Sequence, residues 1–163
     1  MPNWIKYLLT LWLLLPGLLA AGLLVPGQAA AQVVEPPLLT VAVPGKSIDE
    51  AYESLLRAIG QHNYTFVRDQ AIDSRLVPQQ WETKNLRIVY FCNFNRMDRA
   101  LSTDIRAAQF LPCRITLIET QGGVEMVAIN PAWSSIVLGN PLLHPQCLEL
   151  KQDYLAIMEE AAL

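Results

Sequence analysis

Apolar and polar positions divide the chain into two unlike parts. From Tyr7 to Val34 there is no charged side chain, and every acidic residue lies at Glu35 or beyond. The later part alternates between short β-prone runs and stretches of helical spacing. Leu38 to Val43 reads as a strand that stops at the turn signal Pro44-Gly45. In the segment that follows, Ser47 and Glu50 have the spacing of a capping box. Ile48, Ala51, Leu55 and Ile59 then repeat at helical intervals, with Gly60 or Asn63 ending the helix.

Tyr64 to Arg68 is a second strand, followed by a loop from Asp73 to Asn85 that contains Pro78 and Trp81. Leu86 to Phe94 is nearly continuous in apolar and aromatic residues, which predicts a central strand covered on both faces. Asn95 is placed to cap a helix over Arg96 to Phe110, with Pro112 as its stop. Cys113 to Glu119 and Val124 to Ile129 form a hairpin about Gly122-Gly123. Asn130-Pro131 ends that pair. A proline-containing loop leads to a last helix from about Gln146 to Ala162. The order β-α-β-β-α-β-β-α predicts an α+β two-layer sandwich over residues 38–163, with helices packed on one mixed sheet.

The first thirty-one residues read as a signal peptide. Lys6 and the amino terminus precede the apolar run Leu8 to Val25, and Ala29-Ala30-Ala31 offers the small residues read at a cleavage site before Gln32. An uncleaved anchor is the alternative, because a run of this length is nearly enough to cross a bilayer as a helix. Either reading exports the rest of the chain, to the periplasm if the source is bacterial. Contact with a membrane is expected only through an uncleaved N-terminal segment.

The whole chain has a net charge of −3 and 52% hydrophobic residues. Its mean hydropathy is +0.25. Such a chain is too apolar for disorder and, being acidic, is not expected to bind nucleic acid. No phosphate loop, dinucleotide fingerprint, paired zinc motif or G-x-S-x-G elbow occurs. An enzymatic role is therefore not the favoured reading.

The stretch Phe91-Cys92-Asn93-Phe94, a helix, Leu111-Pro112-Cys113-Arg114, a Gly-Gly hairpin and a strand ending in Asn130-Pro131 resembles the family known as domain of unknown function 302. The resemblance runs from Leu38 to about Ala132, with the last helix as an extension. Cys92 departs from it, standing where the family pattern has glycine. The resemblance implies a compact α+β fold and no particular chemistry.

The cysteines Cys92, Cys113 and Cys147 are the most informative residues. None are paired as C-x-x-C, and each falls at the end of an element. Three readings stay open. They are small buried packing residues, or a disulfide with one thiol left over, or a soft-sulfur site for copper, zinc, haem or a sulfur species. His144 and Met158 are further candidate ligands, three residues before Cys147 and eleven beyond it. Antiparallel strands would bring Cys92 and Cys113 to one sheet end, whereas parallel strands would leave Cys147 as the partner of one of them. Asn93, Arg114 and Asn130 are candidate pocket residues, with Tyr90 or Trp133 beside the asparagines. The favoured function is a non-enzymatic binding or redox-accessory domain built on the cysteines. A disulfide-bonded structural domain that forms a homodimer is one alternative. A small thiol-dependent enzyme is the other.

Overall fold

The computed structural model describes residues 35–71 and 86–163. The apolar N-terminal run and Trp81 lie outside these residues. The body forms a compact unit of its own from Val34 to Leu163. In chain order its main elements are β1 (Leu38–Pro44), α1 (Ile48–Gln61), β2 (Thr65–Ala71), β3 (Leu86–Cys92), α2 (Phe94–Thr103), β4 (Cys113–Thr120), β5 (Gly123–Ile129), α3 (Pro131–Leu138) and α4 (His144–Ala162). Short 3₁₀ turns at Ile105–Phe110 and Pro141–Leu143 follow α2 and α3.

The fold is α+β, with strand order β1-β5-β4-β3-β2 in one five-stranded sheet. Every strand pairing is antiparallel, which corrects the expectation of a mixed sheet. The reason lies in α2. It has no buried side chain, so it is not packed over the sheet as the helix of a parallel crossover would be. The chain leaves β3 at Cys92 and re-enters at Cys113 beside the same sheet end, running back along β3.

Side chains alternate across each strand, and among the described residues helices cover one face only. Val43, Val89, Phe91, Ile115, Leu117 and Met126 point inward and are fully buried. They pack on Ala51, Leu55 and Ile59 of α1 and on Tyr154, Ile157 and Met158 of α4. The outer positions Ile88, Tyr90, Thr116 and Ile118 are only half-buried. β3 has neighbours on both edges, as its sequence indicates, but its burial alternates. The continuous apolar run is therefore covered by the described helices on its inner face alone, not on both faces as expected.

Local chemistry explains the helix boundaries. Ser47 and Glu50 form the reciprocal capping box at α1. Asn93, not Asn95, caps the second helix: its side chain accepts from the Arg96 N–H at 3.1 Å. Strand β3 ends at Cys92, so Asn93 keeps extended dihedrals and is the first residue free to cap. The expected long helix also stops at Thr103. Asp104, again extended, caps the 3₁₀ turn that carries the chain to Leu111. Helix α3 is absent from the sequence expectation, although Asn130 as cap and Pro131 at the first helical position are its signature. At the β4–β5 hairpin Gly123 has φ +142, and a Cβ there would run into the Val43 carbonyl oxygen of the neighbouring strand.

Asn130 is fully buried. Its Oδ1 accepts from the Ala132 N–H at 3.0 Å, and its Nδ2 donates to Glu35 and to the Pro36 carbonyl at 3.0 and 2.7 Å. Asn130→Ala removes the cap and leaves buried partners unpaired, so urea unfolding is expected to show a loss of about 2 kcal/mol. Asn93→Ala is expected to cost about 1 kcal/mol and the exposed Asn95→Ala less than about 0.5. Equal costs at positions 93 and 95 would contradict the capping assignment.

Candidate functional site

Two small adjoining cavities lie where the ends of β3 and β4 meet α2 and α4. One has a volume of about 70 Å³ and is mostly apolar, with Phe110, Leu138, Leu143 and Tyr154 among its walls. The other, about 50 Å³, is walled by Cys92, Asn93, Arg96, Met97 and Gln146. Ala100, Leu111, Cys113, Cys147 and Leu150 line both. Spaces of this size hold a few water-sized groups each, well below the several hundred Å³ of a pocket for a drug-sized ligand.

Sheet register creates the cysteine arrangement. Phe91 pairs with Cys113, which puts Cys92 diagonally beside Cys113. Strand spacing and rise place their Cα atoms about 6 Å apart, within disulfide range. All three cysteines are nonetheless free thiols. Alternation along the strands turns diagonal neighbours toward opposite faces, which explains why Cα proximity does not become a bond. Cys113 points into the core. Cys92 sits at the strand end, where its Sγ lies 3.7 Å from the Met97 thioether. Cys147 enters from the first turns of α4 and is half-buried. Among the described residues no group of three or more His, Cys, Asp or Glu side chains is arranged to hold a metal.

Burial sets the thiol chemistry. It pushes Cys113 up to about 11, against the opposing hydrogen bond from the Tyr154 hydroxyl. It also raises Cys92. Cys147 rises for the same reason, with a backbone hydrogen bond at Ser135 pulling the other way. All three are thiols, not thiolates, near neutral pH. Tyr154 stands beside Cys113, and its own ionisation is pushed up, first by burial. Its oxygen accepts the Arg114 N–H at 3.1 Å.

Charged groups frame the smaller cavity. Tyr64 donates to Asp153 at 2.6 Å, and Arg96 spans Asp153 and Glu149 at 2.7 and 2.8 Å. Arg99 also reaches Glu149, at 3.2 Å. These contacts link α4 to α2 and to Tyr64 at the start of β2. Gln146 donates to the Thr103 hydroxyl at 2.9 Å, while its buried Oε1 has no protein partner.

The structure separates the remaining candidates from the thiols. Met158 shares the α4 face of Cys147 but lies eleven residues on, about 16 Å along the helix, and is fully buried in the core. His144 is turned to Ser135, with Nδ1 2.9 Å from the hydroxyl, and lines a different, open groove. Asn93 reaches the smaller cavity, and exposed Arg114 lies on the wall of the larger one. Asn130 is a structural cap. Tyr90 belongs to the outer sheet face, under the Arg68 guanidinium at 4.5 Å, and Trp133 is on the surface of α3. Met97, Gln146 and the Tyr154 hydroxyl were not singled out from the sequence. Met97 and Tyr154 read there simply as parts of apolar helix stripes, and Gln146 as the start of the last helix, without motif spacing.

Residues 39–161 match the family described as Domain of unknown function DUF302. The chain belongs to this family. A crystal structure of an uncharacterized conserved DUF302 protein from Bacillus stearothermophilus is similar to it, with a TM-score of 0.70 and 18% identity, covering 78% of this chain and 99% of that one. That likeness concerns the fold. A search of curated proteins finds no match.

The raised Cys113 ionisation has a consequence for stability. The neutral thiol is favoured in the folded state, so its contribution is fully present below the ordinary thiol value near 9 and is lost as pH rises through about 11. Thermal or urea unfolding is expected to show stability falling over that window, by at most about 1.4 kcal/mol per pH unit from this group. Cys113→Ser should flatten the decline. An unchanged slope in the variant would rule out the buried thiol as its source.

Proposed function

We propose that the domain is a non-enzymatic binding module whose ligand is a small, soft species held at the cysteine-lined cavity, with Cu(I) as the metal that best suits the donors. The observation that carries this reading is that Cys92, Met97, Cys113 and Cys147 all line one cavity of about 50 Å³, with the Cys92 sulfur 3.7 Å from the Met97 thioether. Thiol and thioether sulfurs are the ligands that select Cu(I). Zinc fits less well: a structural zinc site needs four ligands, whereas the described residues hold no metal-ready group of even three His, Cys, Asp or Glu side chains, which leaves a site of at most two thiols completed by the Met97 thioether. Haem is far larger than either cavity. The raised thiol ionisations also weigh against a nucleophilic enzyme, which needs a thiolate near neutral pH. Binding would displace thiol protons and so tighten with rising pH.

Anaerobic titration of the reduced full chain with Cu(I), against a coloured chelator, tests the proposal. Uptake of about one ion per chain is expected, with proton release and fewer thiols open to alkylation. Cys113→Ser should weaken binding at least about tenfold, or ~1.4 kcal/mol, and Met158→Leu should leave it unchanged. Failure of Cu(I) to compete with the chelator, or equal binding by a variant with all three cysteines replaced by serine, would refute the reading.

A further inference from the structure

Helix α3 is amphipathic in the inverse sense. Its buried residues are Pro131, Ala132, Ser134 and Ser135. Its large apolar residues face out: Trp133 is 36% exposed, Ile136 56% and Val137 52%. The spacing i, i+3, i+4 makes those three one continuous patch. Leu142, in the 3₁₀ turn after α3, is 74% exposed. A helix that serves only its own domain buries such side chains and exposes its serines. No Asp, Glu, Lys or Arg occurs in the sequence from Met126 to Leu148, and the charged pair Asp104 and Arg106 reaches α3 at its C-terminal end, at Asn140 and the Leu138 carbonyl.

Where the preceding chain arrives says what covers this patch. Glu35 is held at the start of α3 by Asn130 at 3.0 Å and by Lys151 at 2.7 Å, and the Asn130 N–H donates to the Pro37 carbonyl at 2.9 Å. The sequence run Leu8 to Val25, apolar enough to enter a bilayer, precedes Glu35 by only the segment 26–34. Even fully extended, that segment spans about 30 Å. In the anchor reading of that run, the domain is held at a membrane surface, with Glu35 and the start of α3 within that reach of it. Tryptophan beside branched aliphatic residues is the composition of a headgroup-level contact.

We propose that the exposed face of α3, formed by Trp133, Ile136 and Val137 and extended by Leu142, is an interfacial membrane-contact surface that seats the domain on the lipid bilayer. The contact is apolar and needs no anionic lipid. It rests on the anchor reading of the N-terminal segment, goes beyond that tethering and does not depend on the sulfur site.

The test uses the full chain with Trp4, Trp12 and Trp81 changed to Phe, incorporated into phosphatidylcholine vesicles, so that Trp133 alone reports. A blue-shifted Trp133 emission, quenched by bromine-labelled lipid tails and shielded from iodide, is expected at both low and high salt. Ile136→Asp with Val137→Asp should restore iodide access and abolish lipid quenching; circular dichroism checks that the fold is retained. Ser102→Asp, on the exposed face of α2, is the remote control and should change neither signal. Iodide access equal to that in detergent, without lipid quenching, overturns the proposal. Shielding from iodide without lipid quenching, together with a doubled mass in detergent, also overturns it and assigns the face to a second copy of the chain.

Discussion

Tyr154 is the contact on which both the packing and the candidate site depend. Its ring lies 5.3 Å from that of Phe91, which in turn meets Tyr64 edge-on at 5.5 Å. That aromatic row joins α4 to β3 and to the start of β2. The ring needs the core, but the hydroxyl must not be buried unpaired. It finds the Arg114 N–H as donor and Cys113 as neighbour, both at the first residues of β4. One side chain thus fixes how α4 lies across the sheet and brings Cys147 to the two cavities that Cys113 also lines.

The position of α2 follows from the same arrangement. Because α1 and α4 fill the inner face, α2 is left at the sheet end, held by polar contacts instead of core burial. Arg96 and Arg99 meet Glu149, and Arg96 also meets Asp153. Partly exposed ion pairs contribute little stability each. The wall that carries Met97 is consequently the less firmly held side of the smaller cavity. A site between a rigid sheet end and a weakly held helix can admit a small ligand without disturbing the core.

The family assignment and the site stand on different grounds. Membership follows from a match over nearly the whole described body, and the shared fold follows from the crystal structure of the relative. Neither carries a chemistry. Soft-ligand binding is proposed from this chain's own sulfur atoms alone; the burial that keeps its thiols protonated weighs against a thiolate nucleophile and must be overcome when a metal binds.

Much of the architecture is legible in local patterns. The capping box at Ser47 and Glu50, the apolar stripe of α1 and the Gly122-Gly123 hairpin are set by interactions within a few residues, so the sequence determines them directly. Helix α3 carries an equally local signature in Asn130-Pro131, but its outward apolar residues do not match the inward stripe by which helices are recognised. The direction of β4 relative to β3 was not legible, since it depends on whether α2 packs over the sheet or at its end. The thiol site depends on that choice. Cys92, Cys113 and Cys147 are brought together by strand register and by the docking of α4, while Met158, on the right helical face, is carried three turns away. Spacing along a chain fixes which residues share a face; only packing between elements decides which faces meet.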